Sequence, residues 1–184
     1  MKFIHLSDLH LGKRINECSM IEDQKYILNE IIRILEEQKV NTVLIAGDVY
    51  DKTTPSIEAV ELYDDFITNL SRMNFKVLII SGNHDSAERL SCGSRLMTNS
   101  GVYIAQTYDG HVEPVVLSDE YGEVNFYMLP FVRPVNVRRY FPDANIENYT
   151  DAIDVAIQDM RIDTNKRNVL IAHQFVTGAM RSDS

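Results

Sequence analysis

Two hydrophobic rhythms alternate along the first half of the chain. "KFIHLS" (2–7), "NTVLIAGD" (41–48) and "KVLIISGN" (76–83) are short runs dominated by consecutive apolar residues. Such runs predict strands buried on both faces, as in a parallel sheet. Between them the apolar positions spread out. From about Ile21 to Gln38, Leu28, Ile31, Ile32 and Leu35 recur three and four apart, which predicts a helix with one apolar stripe. Thr54 followed by Pro55 predicts a second helix start, with proline at the first helical position. Val60, Tyr63, Ile67 and Leu70 share one face of that helix. The result is strand, helix, strand, helix, strand, joined by right-handed crossovers.

Beyond Ala87 the segments shorten. A helix to about Thr98 precedes "VYIA" (102–105), "EPVVLS" (113–118) and "VNFYMLPFV" (124–132). The last two are joined by the turn signal "DEYGE", so this region reads as antiparallel. A helix from about Tyr149 to Ile162 leads into "NVLIAHQ" (168–174), another buried strand. The class is α/β with a mixed or second sheet.

Composition narrows the options. A chain of 184 residues with 45% apolar and 24% charged residues suits one soluble domain with a real core. No apolar run approaches the ~20 residues of a membrane span. "MKFIHLSDLH" turns polar too early for a signal peptide, so a cytoplasmic location without a membrane partner is expected. Cys18 and Cys92 read as plain thiols. Acidic residues outnumber basic ones 27 to 18, for a formal charge of −9. That argues against a whole surface built for nucleic acid. Local binding stays open, because cations held by carboxylates reverse the local sign.

The candidate chemistry sits at strand ends. "SDLH" (7–10) offers Asp8 and His10, "GDVYD" (47–51) offers Asp48, "GNHD" (82–85) offers Asn83, His84 and Asp85, and "AHQ" (172–174) offers His173. If the strands are parallel, all four ends lie on one sheet edge, where open α/β folds bind ligands. Carboxylates, imidazoles and an amide without thiolate suit Mn²⁺, Fe or Zn²⁺. Asp48, lying between the other groups, is placed to bridge two ions that clamp a phosphate. Each residue also has a plain structural alternative. Asp8 after Ser7 caps a turn, His10 is a surface histidine, and Asp48 marks a helix start. Asp85 and Glu88 have capping-box spacing, and His84 and His173 are core-edge histidines. It is the coincidence at four strand ends that favours the metal reading. His5, inside the first strand, and His111, after a turn-like "DG", have no partner motif.

In this order, "DLH", "GDVYD", "GNHD" and "AHQ" resemble the signature of calcineurin-like metallophosphoesterases. The longer text "FIHLSDLHLGKR", "AGDVYDKTTPS", "SGNHDSAERLSCGSRL" and "LIAHQFVTGA" is similar to the Mre-type nuclease branch of that family, over essentially the whole chain. The resemblance implies an α/β fold in which a β-sandwich is flanked by helices. It implies Asp8, His10, Asp48, Asn83 and His173 as ligands of two divalent ions, normally Mn²⁺, with Asp48 bridging. His84 would act near the leaving-group oxygen, as acid or transition-state stabiliser, and Asp85 would hold its imidazole. The reaction would be hydrolysis of DNA phosphodiesters, as a 3′–5′ exonuclease and, with an SbcC-type ATPase partner, as a hairpin- and end-processing endonuclease in DNA repair and recombination.

One departure bears on this reading. The family's Gly-His-x-His motif does not follow "HQFVTG" within the sequence. Residues 1–184 are therefore expected to be a nuclease domain truncated before its last metal motif and its capping domain, with weak metal binding and little cleavage. Lys13, Arg14 and Arg89 flank the motifs as candidate DNA contacts, with Arg133, Arg138 and Arg139 further on; solvated surface arginine is the equal alternative. A homodimer in this family would use parts of 56–73 and 86–98. The rival functions are a cyclic-nucleotide or phosphoprotein phosphoesterase of the same superfamily, and a non-catalytic scaffold.

Overall fold

The continuous apolar runs become the inner strands of a layered fold. The structure, a computed structural model, describes residues 1–175. In chain order the elements are β1 (Ile4–Leu6), the short hairpin β2 (Arg14–Ile15) and β3 (Cys18–Ser19), α1 (Ile21–Glu37), β4 (Thr42–Ala46), α2 (Ile57–Arg72), β5 (Lys76–Ile80), α3 (Ala87–Leu90), α4 (Ser94–Met97), β6 (Val102–Ile104), β7 (Val115–Asp119), β8 (Gly122–Met128), α5 (Pro134–Arg138), α6 (Tyr149–Asp159) and β9 (Arg167–Ile171). One sheet is parallel with strand order β1-β4-β5-β6, and the other has the order β7-β8-β9.

Alternation along β4 and β5 divides their side chains between two cores. Val43, Ile45, Val77 and Ile79 pack with Leu35, Phe66 and Leu70 of the helices. Leu44, Ala46, Leu78 and Ile80 pack with Val124, Phe126 and Met128 of the second sheet. On the far side of that sheet, Tyr127 and Leu129 meet Val137, Ala152 and Ala156. The layers run helix, sheet, sheet, helix, as the resemblance implied. Two sheets packed on each other bury their facing side chains completely, and Phe126 at the centre is 0% exposed. Among the described residues, no helix is long and apolar enough to cross a membrane.

Several local expectations are corrected. The second helix is capped by Ser56, whose Oγ accepts the Ala59 N–H at 3.3 Å, so Pro55 precedes the cap. Its buried row is Ala59, Leu62, Phe66, Ile67 and Leu70, while Val60 faces solvent. Spacing alone could not choose between two neighbouring stripes. The predicted helix to Thr98 breaks into α3 and α4 at Gly93, whose φ of +76° leaves the helical region. "VYIA" does not join an antiparallel region; β6 extends the first sheet in parallel with β5. The last strand is not in the first sheet. β9 pairs parallel with β8 in the second, and only Ile171 of it is buried. The four motif-bearing strand ends therefore belong to two sheets, not to one edge. The β2–β3 hairpin and α5 have no counterpart among the expected elements.

Candidate metal centre

The loops after β1 and β4 run side by side and hold each other. The Asp8 N–H donates to Gly47 O at 3.1 Å, the His10 N–H to Asp48 O at 2.9 Å, and the Asp51 N–H to Leu11 O at 3.1 Å. The ladder of the parallel sheet thus continues past its strands and delivers Asp8, His10 and Asp48 together. All three have left-handed backbones, with φ of 56°, 44° and 50°. That conformation is sterically disfavoured for residues with a Cβ, and it persists where surrounding bonds over-determine it, commonly at functional sites. Gln24 of α1 secures the first loop: its Nε2 donates to His10 O at 2.8 Å and its Oε1 accepts the Gly12 N–H at 3.0 Å.

Two motif glycines make room. A Cβ on Gly82 would lie 2.1 Å from Asp48 Oδ1 and 2.3 Å from Asp48 N. A Cβ on Gly47 would lie 2.5 Å from His173 Nδ1. Side chains at these positions would fill the space in which Asp48 and His173 approach.

The result is two overlapping triads. His10, Asp48 and His84 bring one donor atom each within 4.8 Å of one another, and so do Asp8, Asp48 and His173. Asp48 belongs to both. It is almost fully buried at 3% exposure. Its Oδ1 accepts the His84 N–H at 2.8 Å, which leaves Oδ2 facing His173 Nε2 at 3.4 Å and His10 Nε2 at 3.8 Å. His173 Nδ1 lies 2.7 Å from Ala46 O. A carbonyl only accepts, so Nδ1 carries the proton. Nε2 then faces the Asp48 carboxylate, the pose of a metal-ligating imidazole whose other nitrogen is hydrogen-bonded. His10 adds a buried Nδ1 with no hydrogen-bond partner among the described residues, 3.7 Å from Asp51 Oδ1. Oxygen and imidazole donors of this kind, shared at one carboxylate, fit a pair of borderline-hard divalent ions.

Asn83 and His84 are exposed, whereas Asp85 points inward. Both exposed residues border a groove of about 470 Å³ with Asp51, Lys52, Thr53 and Thr54. The imidazole that Asp85 was expected to hold is held by another group. His84 Nδ1 lies 3.0 Å from the Asp51 carbonyl, and the rings of His84 and His10 stand edge to face at 4.9 Å. The Asp51 carbonyl, aided by the Asp48, Asp51 and Asp85 carboxylates, holds the His84 imidazole above its ordinary pKa against the opposing effect of burial. Asp85 faces away, because three backbone donors demand its oxygens. Oδ2 accepts from Val49 N at 3.1 Å and Gly82 N at 2.8 Å, and Oδ1 from Tyr50 N at 2.9 Å. Burial raises the Asp85 carboxyl pKa, and these bonds partly offset the rise. Nor does Asp85 cap the next helix: Ser86 does, its Oγ accepting the Arg89 N–H.

The expected DNA-contact residues divide. Arg14 borders a groove of about 580 Å³ that shares Asp51, Lys52 and Thr54 with the one over His84. Arg89 borders another cleft with Thr53 and Asn83, its Nη1 donating to Thr54 Oγ1 at 2.8 Å. Lys13 instead borders an apolar groove beside Ile15 and Ile27. Arg139 lies over the Tyr140 ring at 5.8 Å. His111 has partners after all: its Nδ1 lies 2.5 Å from Oδ2 of the distant Asp159 and its Nε2 3.0 Å from Oε1 of nearby Glu113. The sequence reading missed Asp51 although it stands inside "GDVYD". It missed Gln24 because nothing local marks one helical glutamine as a loop anchor.

The chain resembles known proteins along its whole length. The chain is 39% identical to the SbcD component of the SbcCD nuclease of Staphylococcus epidermidis and 36% identical to that of Staphylococcus saprophyticus, each alignment taking in 100% of this chain and 49% of the relative. It thus spans about half the length of the curated relatives it matches. The crystal structure of Pseudomonas putida nuclease MPE aligns over 69% of this chain and 54% of its own, at a TM-score of 0.40 and 20% identity. Residues 1–182 match the calcineurin-like phosphoesterases. Together with ordered motifs that meet at one buried aspartate, this match means that the chain belongs to the calcineurin-like phosphoesterase family.

Proposed function

We propose that the chain carries the catalytic centre of a metal-dependent DNA nuclease, a two-metal phosphodiesterase acting in DNA repair and recombination. The observation that carries this reading is the convergence of Asp8, His10, His84 and His173 on one buried aspartate, Asp48, beneath an open groove. Similarity along the whole chain to SbcD nuclease components supports the choice of DNA over other phosphoesters. Asp8, His10, Asp48, Asn83 and His173 are assigned as ligands, with Asp48 bridging and Mn²⁺ the preferred ion. When bound by these residues, the ions would supply Lewis acidity toward the phosphate and make water acidic enough to attack near neutral pH.

The remaining work falls to the protein. Gln24, Gly47 and Gly82 hold the ligand loops at their separation before substrate arrives. His84, with its Nδ1–H tied to the Asp51 carbonyl, keeps one ring nitrogen for the substrate. That nitrogen borders the open groove, where the leaving oxygen would stand. Asp85 acts as a positioning residue for the loop bearing Asp48 and Asp51. An SbcC-type ATPase partner, a homodimer and a cytoplasmic setting complete the proposal, in which residues 1–184 are part of a nuclease domain.

The test uses a chain of the curated relatives' length with Mn²⁺, offered single-stranded DNA, cyclic nucleotides and phosphopeptides. DNA hydrolysis is expected to dominate. His84→Ala should lose cleavage while retaining metal by isothermal titration. Preference for phosphopeptides or cyclic nucleotides would overturn the assignment, and unchanged cleavage by the variant would remove His84 from it.

A further inference from the structure

The second sheet ends in an open strand. Among the described residues, β7 has β8 on one side and no strand on the other. We propose that this edge of β7 takes up an extended segment of a partner protein, one that alternates apolar residues with lysine or arginine. The surface lies apart from the metal ligands and is independent of the nuclease reading.

Register fixes what the edge offers. Asp119 pairs with Gly122 across a tight turn, so Val115, Leu117 and Asp119 exchange their backbone bonds with β8. Val116 and Ser118 therefore turn N–H and C=O outward, where no partner meets them among the described residues. Both residues are exposed, Val116 at 48%. Edge strands are ordinarily guarded by lysine, proline or a bulge. β7 has none of these: "VVLSD" pairs residue for residue with β8, and Pro114, just outside it, bounds the pairing at one end only.

There is also room for the added side chains. A cleft of about 610 Å³ separates β7 from the end of β6, with Tyr103, Ile104 and Ala105 on one side, Val115 and Val116 on the other, and Met128 between. Val115, Leu117, Tyr103 and Ala105 all pack toward the sheet–sheet core. An added strand whose apolar side chains alternate in step with Val115 and Leu117 would place them in this cleft and extend that core.

Charge selects the occupant. Asp109 and Glu113 line the cleft, His111 lies between Glu113 and Asp159, and no lysine or arginine is among the lining residues. Lysine or arginine side chains on the added strand would meet this acidic rim. A second copy of the chain fits worse. Antiparallel pairing of two β7 edges would bring Glu113 of one copy near Glu120 of the other, and like charges opposed across strands are destabilising.

The experiment titrates a fluorescein-labelled heptapeptide of alternating lysine and valine with a chain of the curated relatives' length and follows anisotropy. Saturable binding is expected, with hydrogen exchange slowed at residues 115–119. The same peptide with every backbone nitrogen methylated keeps its charge but has no donors, and should bind at least about tenfold more weakly. A valine–glutamate heptapeptide should be weaker by about the same factor. Val116→Pro removes one outward N–H, a change that edge strands tolerate, and should raise Kd about tenfold. Val116→Lys keeps the backbone whole, sets a like charge on the edge and should also raise Kd about tenfold. Equal affinity for the methylated peptide, or parent-like affinity in both variants, would overturn the edge as the site. Slowed exchange at 115–119 that grows with protein concentration in the absence of peptide would overturn the partner segment in favour of a second copy.

Discussion

Replacing Asp85 distinguishes its observed task from the one its neighbourhood in "GNHD" suggests. Its carboxylate accepts three backbone N–H groups, from Val49, Tyr50 and Gly82, at 2.8 to 3.1 Å in a site 8% exposed. Asp85→Ala orphans all three donors. At about 1–3 kcal/mol for each unsatisfied buried group, with some relief from water entering the vacated space, the expected loss is about 3–5 kcal/mol. That is a large part of the stability of an ordinary domain, about 5–15 kcal/mol. Asp85→Asn keeps the shape. Its amide oxygen can still serve Val49 and Gly82, but its NH₂ then meets the Tyr50 N–H, donor against donor. The expected loss is about 1–3 kcal/mol.

Urea unfolding followed by far-ultraviolet circular dichroism measures both variants, with midpoints falling and slopes unchanged. Isothermal titration with Mn²⁺ should show weakened binding in parallel, because the loop carrying Asp48 loosens. If Asp85 served chiefly to hold the His84 ring, Asp85→Asn would remain within about 0.5 kcal/mol of the parent, the range of an ordinary surface change. That result would refute the reasoning.

Three further outcomes follow from the same geometry. Gly82→Ala places a Cβ 2.3 Å from the backbone nitrogen of Asp48, a clash no rotamer relieves; a loss of at least about 2–3 kcal/mol and weaker Mn²⁺ binding are expected, and parent-like behaviour in both assays would contradict the packing. Phe126→Ala removes the central side chain of the sheet–sheet core, 0% exposed, and should lower stability by about 3–5 kcal/mol, read as a shifted urea midpoint. The Asp159 and Glu113 carboxylates raise the His111 pKa, so its contribution is complete below the unfolded-state pKa and is lost as pH rises through the folded one. With the ring 47% exposed, the change should be under about 1 kcal/mol; a stability profile upward from pH 6 should fall slightly in the parent relative to His111→Gln, and parallel profiles would remove the pairing.

The inner strands were legible because burial on both faces leaves a continuous apolar run. β4 and β5 fell where "TVLIA" and "KVLII" stand, and α1 where its stripe stands. The start of α2 was misplaced because Thr54, Pro55 and Ser56 all suit a helix start, and only the accepted N–H of Ala59 shows which residue caps. β6 and β9 were misassigned for a different reason. A run of three to five apolar residues states that a strand exists, not which sheet or direction it joins. At the site, every residue of the two triads was visible as a motif at a strand end. Asp51 and Asp85 were visible as members of motifs, but Asp51 meets the His84 ring through its backbone carbonyl, 33 residues away, and Asp85 meets the Val49 and Tyr50 N–H groups, 36 and 35 residues away.

Local order in the chain therefore establishes the residue types, the strand ends that carry them and the close pairing of neighbours such as Asp8 with His10. Distances across the fold lie beyond it. His173 reaches its place beside Ala46 and Asp48 from the second sheet, across 127 residues of sequence. That approach exists because the two sheets pack through their apolar faces and because Gly47 has no Cβ in the way. Periodicity reports which face of an element is buried; it carries no record of which distant element lies against that face.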